Sequence, residues 1–337
     1  MSGRIRCALV GFGYWGPNLL RNFAELADAE VKVVCDPRPD LAQRISRRYP
    51  SVELETSYDA VLKRTDVDAV VIATPPKLHA PMGIAALETG RHVWIEKPLA
   101  TSVRDAERLA ERAAARGLTL FVDHTLVYTG AVRKMREMVA DGSLGQVLYY
   151  DSVRVNLGLV QSDVSVLWDL AVHDLSIMDY LLRAKPIAVS ALGVSSVANQ
   201  PTSIAYLTVF CEGGLIGHCH VNWLSPVKIR RTLVGGDRRM IVYDDLDTHF
   251  EVKVFDSGVD LDPNDFKVKY RAGDVHVPQI DRTEALTAAS RHFIECVQDG
   301  TEPVTSSAAG LRVVQILEAA DRSLSRQGAP ISLELVS

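Results

Sequence analysis

Two short constellations in this chain combine residue types and spacings suited to chemistry. Gly11-Phe12-Gly13-Tyr14-Trp15-Gly16 follows one apolar run and opens an amphipathic stretch, and Glu96-Lys97-Pro98 closes a later apolar run. A pyrophosphate needs backbone N–H donors at close range, so glycines belong where a side chain would block approach or where the turn needs positive φ. Pro17 fits a first helical turn, where its missing N–H is no loss, and Leu19, Leu20, Phe23 and Leu26 form a single apolar stripe behind it. The helix N-terminus adds a field that favours phosphate. Lys97 puts an ammonium at the strand end where the reactive ring of such a cofactor would lie, with Pro98 restricting the backbone beside it. Each signal alone is weak; the pair points to a pyridine nucleotide and redox chemistry.

Further residues fit the same reading. Asp36 follows the second apolar run, about twenty residues beyond Gly16, where a carboxylate accepts hydrogen bonds from the adenosine ribose. It repels a 2′-phosphate and so favours NAD over NADP, although nearby Arg38 softens that repulsion; the plainer alternative is a solvated strand-end acid. Thr74, Pro75 and His79 fall on the same carboxyl edge and, with Glu96, are candidate cofactor contacts, unless the prolines merely stop the strand. Asp169 and His173 stand at i and i+4 of an expected helix. They share a face there, so the carboxylate can orient the imidazole and raise its basicity, or the two can form an ordinary surface hydrogen bond. Strand alternation sets Ser152, Arg154 and Asn156 on one face, reaching substrate hydroxyls, solvent or a subunit interface. His124, Tyr128, His220 and Trp223 are additional lining candidates.

The elements that must position these groups are legible in outline. Strands are expected at Arg6 to Val10, Val31 to Cys35, Ala69 to Ala73, His92 to Ile95 and Leu118 to Val122, alternating with helices as a parallel sheet requires. Ser102 with Asp105 resembles a capping box, and Gly90 and Gly117 stand where helices stop. Longer strands follow at Gln146 to Leu157, Ile187 to Val194, Ile204 to Phe210, Leu215 to Trp223 and Ile229 to Val234, interrupted by a helix at Leu167 to Leu182. The acidic stretch Asp244 to Asp265 reads as turn-rich, and Glu284 to Val297 and Ala309 to Arg326 as helices. The expectation is an α/β chain: a doubly wound domain over 1–124, then an α+β domain over 125–337 with an open, mostly antiparallel sheet, its last helix (about 309–326) packing back on the first domain.

Composition narrows the partners. With 337 residues, 47% hydrophobic, 23% charged and a net charge of −5, the chain suits about two globular domains and offers no basic field for nucleic acid or anionic membrane. No apolar run is long enough to span a bilayer, and the first ten residues lack the pattern of a signal peptide. Five scattered cysteines without a CxxC pair imply reduced thiols in a cytoplasmic protein and no metal site.

These motifs together resemble the glucose-fructose oxidoreductase / inositol dehydrogenase / rhizopine catabolism (Gfo/Idh/MocA) family across nearly the whole length. The resemblance is carried by the Gly11 turn, Ala73-Thr74-Pro75-Pro76, Glu96-Lys97-Pro98, Gly117 to His124, Trp168-Asp169-Leu170-Ala171-Val172-His173-Asp174 and Gly310 to Ser323. It implies a Rossmann domain holding NAD, a second domain whose sheet forms a homodimer or homotetramer, and a small sugar, aminosugar or cyclitol substrate. It also implies that Lys97, Asp169 and His173 are catalytic, with either Lys97 or His173 as base. His124 departs from the asparagine of many relatives, which puts its role in question. Gly13 to Arg21 and Leu167 to Asp174 are most similar to branches acting on nucleotide sugars or aminosugars in antibiotic biosynthesis. The implied activity is oxidation of a secondary hydroxyl, C3 of a hexose-type ring being the narrower expectation. An NAD-dependent glycosidase with transient oxidation and a non-catalytic NAD-binding regulator are the alternatives.

Overall fold

Strand β1 (Ile5–Val10) buries its last four residues and runs straight into Gly11, so the chain turns where the sheet's carboxyl edge begins. The computed structural model describes residues 3–158, 164–182, 184–196, 200–261 and 268–333. The chain divides into two compact units, Met1–Tyr128 with Thr283–Val314, and Thr129–Arg282 with Gln315–Ser337.

In the first unit β2 (Ala29–Cys35), β3 (Glu53–Glu55), β4 (Ala69–Ile72), β5 (His92–Glu96) and β6 (Leu120–Asp123) join β1 in an all-parallel sheet of order β3-β2-β1-β4-β5-β6. The order reverses between β1 and β4, the switch point at which such sheets bind ligands beyond their carboxyl ends. Gly11, Asp36, Ala73, Lys97 and His124 each follow one of these strands, so one sheet edge gathers residues far apart in sequence. Helices α1 (Gly16–Glu25), α2 (Leu41–Arg48), α3 (Tyr58–Lys63), α4 (His79–Glu88) and α5 (Val103–Arg116) make the connections. The expected limits of α5 hold: the Asp105 N–H donates to Ser102 Oγ at 3.2 Å, and Gly117 closes the helix at φ +62°. The three-residue β3 is a strand too short to have left a pattern in the sequence.

The second unit begins with α6 (Gly130–Ala140). Its strands are β7 (Val147–Leu157), β8 (Pro186–Val194), β9 (Ile204–Cys211), β10 (Ile216–Asn222), β11 (Leu224–Gly236), β12 (Met240–Asp244) and β13 (Val252–Phe255). A separate hairpin, β14 (Gly258–Leu261) and β15 (Val268–Arg271), precedes β16 (Val275–His276), and β17 (Ile331–Ser332) closes the far edge. The nine-stranded sheet runs β16-β13-β12-β11-β7-β10-β9-β8-β17 and is antiparallel except where β7 meets β10. One face buries Tyr150, Ser152, Arg154, Cys219 and Val221, and α7 (Val172–Leu181) covers it; Tyr149, Leu192, Val194, Tyr206 and Ile216 stand on the other, exposed face. β13 and β14 fall in the acidic stretch read as turns, because alternating Val252 and Val254 outweigh its charge; 262–265 lie outside the described residues.

Sequence order assigns α8 (Ala285–Asp299) to the second domain, yet it belongs to the first unit. The reason is aromatic: Phe293 packs edge-on to Phe23, Trp94 and Phe121, and Trp94 stacks on Phe121 at 4.2 Å. The partition between units falls inside α9 (Ser307–Leu324), whose Gly310 lies tight against Val122 and Leu99. Among the described residues no helix is long and apolar enough to cross a membrane.

Candidate active site

The carboxyl edge of the first unit carries a cradle built by glycine. Gly11 adopts φ +95°, and a Cβ there would come within 2.4 Å of the Ala73 carbonyl oxygen, so only glycine lets the β1 and β4 loops touch. A Cβ on Gly16 would meet the Gly11 carbonyl oxygen at 2.6 Å, whereas Gly13 faces open space. Helix α1 starts at Gly16 with no side-chain cap; Pro17 has no N–H, and Asn18 and Leu19 donate to the Trp15 carbonyl oxygen, so the donors for a ligand come from Gly16 and the turn before it, while the Tyr14 and Trp15 rings point to solvent. Thr74 Oγ1 is buried without a partner beside this cradle. These features fit the pyrophosphate of a dinucleotide.

At the end of β2, Asp36 is held tightly. Its Oδ2 accepts the Phe12 N–H at 2.8 Å, and its two oxygens take the Arg38 guanidinium at 2.7 and 2.9 Å. The Arg38 hydrogen bond, followed by those from the backbone of Phe12 and Arg38, pulls its pKa down to about 2 against the opposing effect of burial. With the Arg38 N–H also donating, the carboxylate's roughly four acceptor positions are full, so a ribose diol has to displace part of the half-exposed Arg38.

After β5 and β6 the edge becomes a nest of buried titratable groups. Glu96 and Asp123, the closing residues of β5 and β6, are register partners, 8% and 1% exposed, and their carboxyls hydrogen-bond each other. Burial pushes both upward, Glu96 the further because the Asp123 charge adds to it. Burial, then the charge of Lys97, pushes His124 down to about 3, and neither of its buried ring nitrogens has a protein partner. It is thus a neutral imidazole with a donor and an acceptor to offer a ligand. His79 is also buried, its Nδ1 2.7 Å from the Pro98 carbonyl oxygen and its Nε2 2.9 Å from that of Thr74.

In the second unit Asp169 lies in a π-helical turn, Leu167–Ala171, that runs directly into α7 with His173 in its first turn. Such turns are rare and cluster at functional sites. The buried Trp223 donates its indole N–H to Asp169 Oδ2 at 3.0 Å. The neighbouring Asp174 holds the helix to the sheet through a two-pronged ion pair with Arg154, at 2.8 and 3.0 Å, with both side chains at most 5% exposed.

Two family models match the chain: "Oxidoreductase family, NAD-binding Rossmann fold" over residues 5–124 and "GFO/IDH/MocA C-terminal domain" over 132–242, together more than half of its length. The chain belongs to the Gfo/Idh/MocA family of oxidoreductases. It is similar to the scyllo-inositol 2-dehydrogenase (NAD(+)) of Bacillus subtilis (strain 168), 25% identical over 99% of this chain and 98% of that protein. It is also similar to a dTDP-3,4-didehydro-2,6-dideoxy-alpha-D-glucose 3-reductase of Saccharopolyspora spinosa, 27% identical over 66% of this chain and 70% of the relative. The structure of GenD2 from gentamicin A biosynthesis in complex with NAD shares the fold, with a TM-score of 0.84 at 24% identity over 99% and 98% of the two chains. The chain is therefore an NAD-binding member of a family of sugar oxidoreductases.

Within this Gfo/Idh/MocA frame several sequence readings need correction. The Glu96 carboxyl is buried and engaged by Asp123. His79 commits both ring nitrogens to backbone carbonyls and ties the β4 loop to the β5 loop. Tyr128 stacks on Phe121 and shares a hydrogen bond with Thr305 Oγ1, which makes it core. Arg154 is likewise neutralised by Asp174 and closed to substrate. His220 stacks under Tyr206 at 4.4 Å on the face of the sheet opposite α7. Asn156 stays half-buried beside Gly158 and Trp223. Asp123 was missed altogether; the signal was available, since an acid closing an otherwise apolar parallel strand is unusual.

Proposed function

We propose that the protein oxidises a secondary hydroxyl of a sugar, aminosugar, aminoglycoside or nucleotide sugar to a ketone with NAD, the C3 hydroxyl of a hexose-type ring being the favoured position. Bound NAD supplies the hydride acceptor. The chain's part is to hold the carbinol, receive its proton and stabilise developing negative charge on its oxygen. Lys97, at the end of β5, presents the positive charge that suits an incipient alkoxide. His173 receives the proton, with Asp169, fixed by the Trp223 indole, setting the imidazole's orientation. His124 offers a neutral donor and acceptor to the substrate or the cofactor amide. The proposed cofactor contacts are the Gly11-Phe12-Gly13-Tyr14-Trp15-Gly16 backbone, Asp36 with Arg38, and the Thr74-Pro75 turn.

The observation that carries this reading is the glycine cradle at the switch point on the same sheet edge as Lys97 and the unpartnered His124. The 3-reductase likeness supports the C3 position. Five buried, unpaired thiols suit a reducing cytoplasm, and the exposed apolar face of the nine-stranded sheet suits a homodimer or homotetramer. The test is a panel of cyclitols, nucleotide sugars and aminoglycosides read at the absorbance of NADH, with the product weighed. The reading requires NADH with a product two hydrogens lighter. Released aglycone at constant NAD would favour glycoside cleavage instead.

A further inference from the structure

Glu96 and Asp123 are two carboxyl groups in hydrogen-bond contact at the closing positions of adjacent parallel strands, nearly sealed from solvent. Carboxylate oxygens only accept, so contact between two carboxyls demands a proton between them. Two bare anions would repel each other in a low dielectric, which is why such pairs keep one proton. The surroundings break the tie between the partners. Asp123 Oδ1 accepts the Thr125 hydroxyl at 2.7 Å in addition to the Glu96 contact, while among the described residues the one other hydrogen bond to the Glu96 carboxyl comes from the Lys97 backbone N–H. The better-solvated anion is therefore Asp123. Among the described residues, the other groups whose charge couples to the pair are Lys97 and Tyr128; His124, next to Asp123, couples to Lys97. Tyr128 is buried and hydrogen-bonded to Thr305, and His124 is held neutral, so Lys97 is the one cation of this set.

We propose that Glu96 and Asp123 form a one-proton carboxyl pair, Glu96 donating the hydrogen and Asp123 carrying the charge, and that this charge is the counter-ion that positions Lys97. Neither is a catalytic residue; both act through the lysine. The positioning role rests on the function proposed for Lys97, whereas the protonation state does not. The pair also explains the physical cost of burying an acid at each of two strand ends. One net negative charge couples to the ammonium, and the second carboxyl, kept neutral, fixes the first by a hydrogen bond without adding repulsion. In acid the pair takes up a second proton, and the counter-charge disappears.

Infrared pH-difference spectra of the purified full chain, without substrate, test the protonation state. The expected result is a protonated-carboxyl carbonyl band that persists on the alkaline side of neutrality in the wild type and is lost in Glu96→Gln. A second such band grows in as the pH falls into the mildly acidic range and is missing from Asp123→Asn. Absence of an alkaline band that Glu96→Gln removes would overturn the proposal, and this comparison stands even if Asp123→Asn fails to fold. With whichever panel sugar is turned over, Asp123→Asn should lower kcat by about tenfold or more and erase the acidic limb of the wild-type pH profile, leaving NAD affinity by calorimetry nearly unchanged. Glu96→Gln, which keeps a hydrogen donor toward Asp123, should rescue most of the turnover lost in Glu96→Ala. Equal damage from Glu96→Gln and Asp123→Asn would refute the division of roles. If no sugar reacts, the proposed function fails while the infrared result still decides the pair.

Discussion

At the level of single residues, position on the sheet edge decides which polar groups are free to act. Lys97 and the neutral His124 are placed where β5 and β6 end, and Asp169 is steered by one indole N–H. Lys97→Met should cut kcat by about a hundredfold or more while NAD still binds, because it removes charge that matters most as the alkoxide develops; steady-state kinetics paired with calorimetry checks this. Trp223→Phe, which deletes a hydrogen bond to a carboxylate worth roughly 1.5–3 kcal/mol, should lower kcat by about tenfold or more. Arg38 fills the acceptor positions of Asp36, so Arg38→Ala should strengthen discrimination for NAD over NADP, measured as the ratio of their dissociation constants. The same pair gives a pH effect. Asp36 is held at about 2 in the folded chain, below the unfolded value of about 3.9, so the unfolded state binds more protons in that range and stability rises with pH. The contribution is complete above the unfolded value and disappears as pH falls through about 2, and urea titrations should show a shallower acid loss in Asp36→Asn. The strand-end positions of the glycine turn, Asp36 and Lys97 were legible in the sequence because each depends on local chain geometry. The burial of Glu96, His79, Tyr128 and Arg154 was not, since it depends on partners brought by other elements: Asp123, the loop at Pro98, Phe121 with Thr305, and Asp174.

Among the elements, the parallel strands and α5 with its two caps could be read from apolar runs and stop signals, and their ends shift by only a few residues. What escaped were the elements whose identity is set by tertiary pairing: the three-residue β3, β13 and the edge strand β16 beside it, and the π-helical turn ahead of α7. The attachment of α8 also escaped, because Phe293 finds its aromatic partners only after the chain has returned to the first unit. α7 is anchored to the sheet by the Arg154–Asp174 pair, buried on both sides. Arg154→Ala leaves Asp174 charged and alone, and urea unfolding should show a loss of about 3–5 kcal/mol. Replacing both by apolar residues, Arg154→Met with Asp174→Leu, should recover most of that loss.

For the whole molecule, the apolar residues left on the outer face of the nine-stranded sheet, Tyr149, Leu192, Val194, Tyr206 and Ile216, are the feature a lone chain does not explain. We expect this face to join copies of the chain, and Leu192→Lys with Tyr206→Glu should lower the molar mass seen by light scattering without unfolding either unit. The account as a whole depends on the chain using NAD to take a hydride from a sugar carbinol with Lys97 beside the reacting oxygen. The most direct measurement is NADH formation across the panel of cyclitols, nucleotide sugars and aminoglycosides by wild type and Lys97→Met, with NAD binding measured on both. The account predicts stoichiometric NADH and a keto product from at least one sugar with wild type, and little or none with Lys97→Met at unchanged NAD affinity. No NADH from any sugar, or equal turnover by the two proteins, would contradict it.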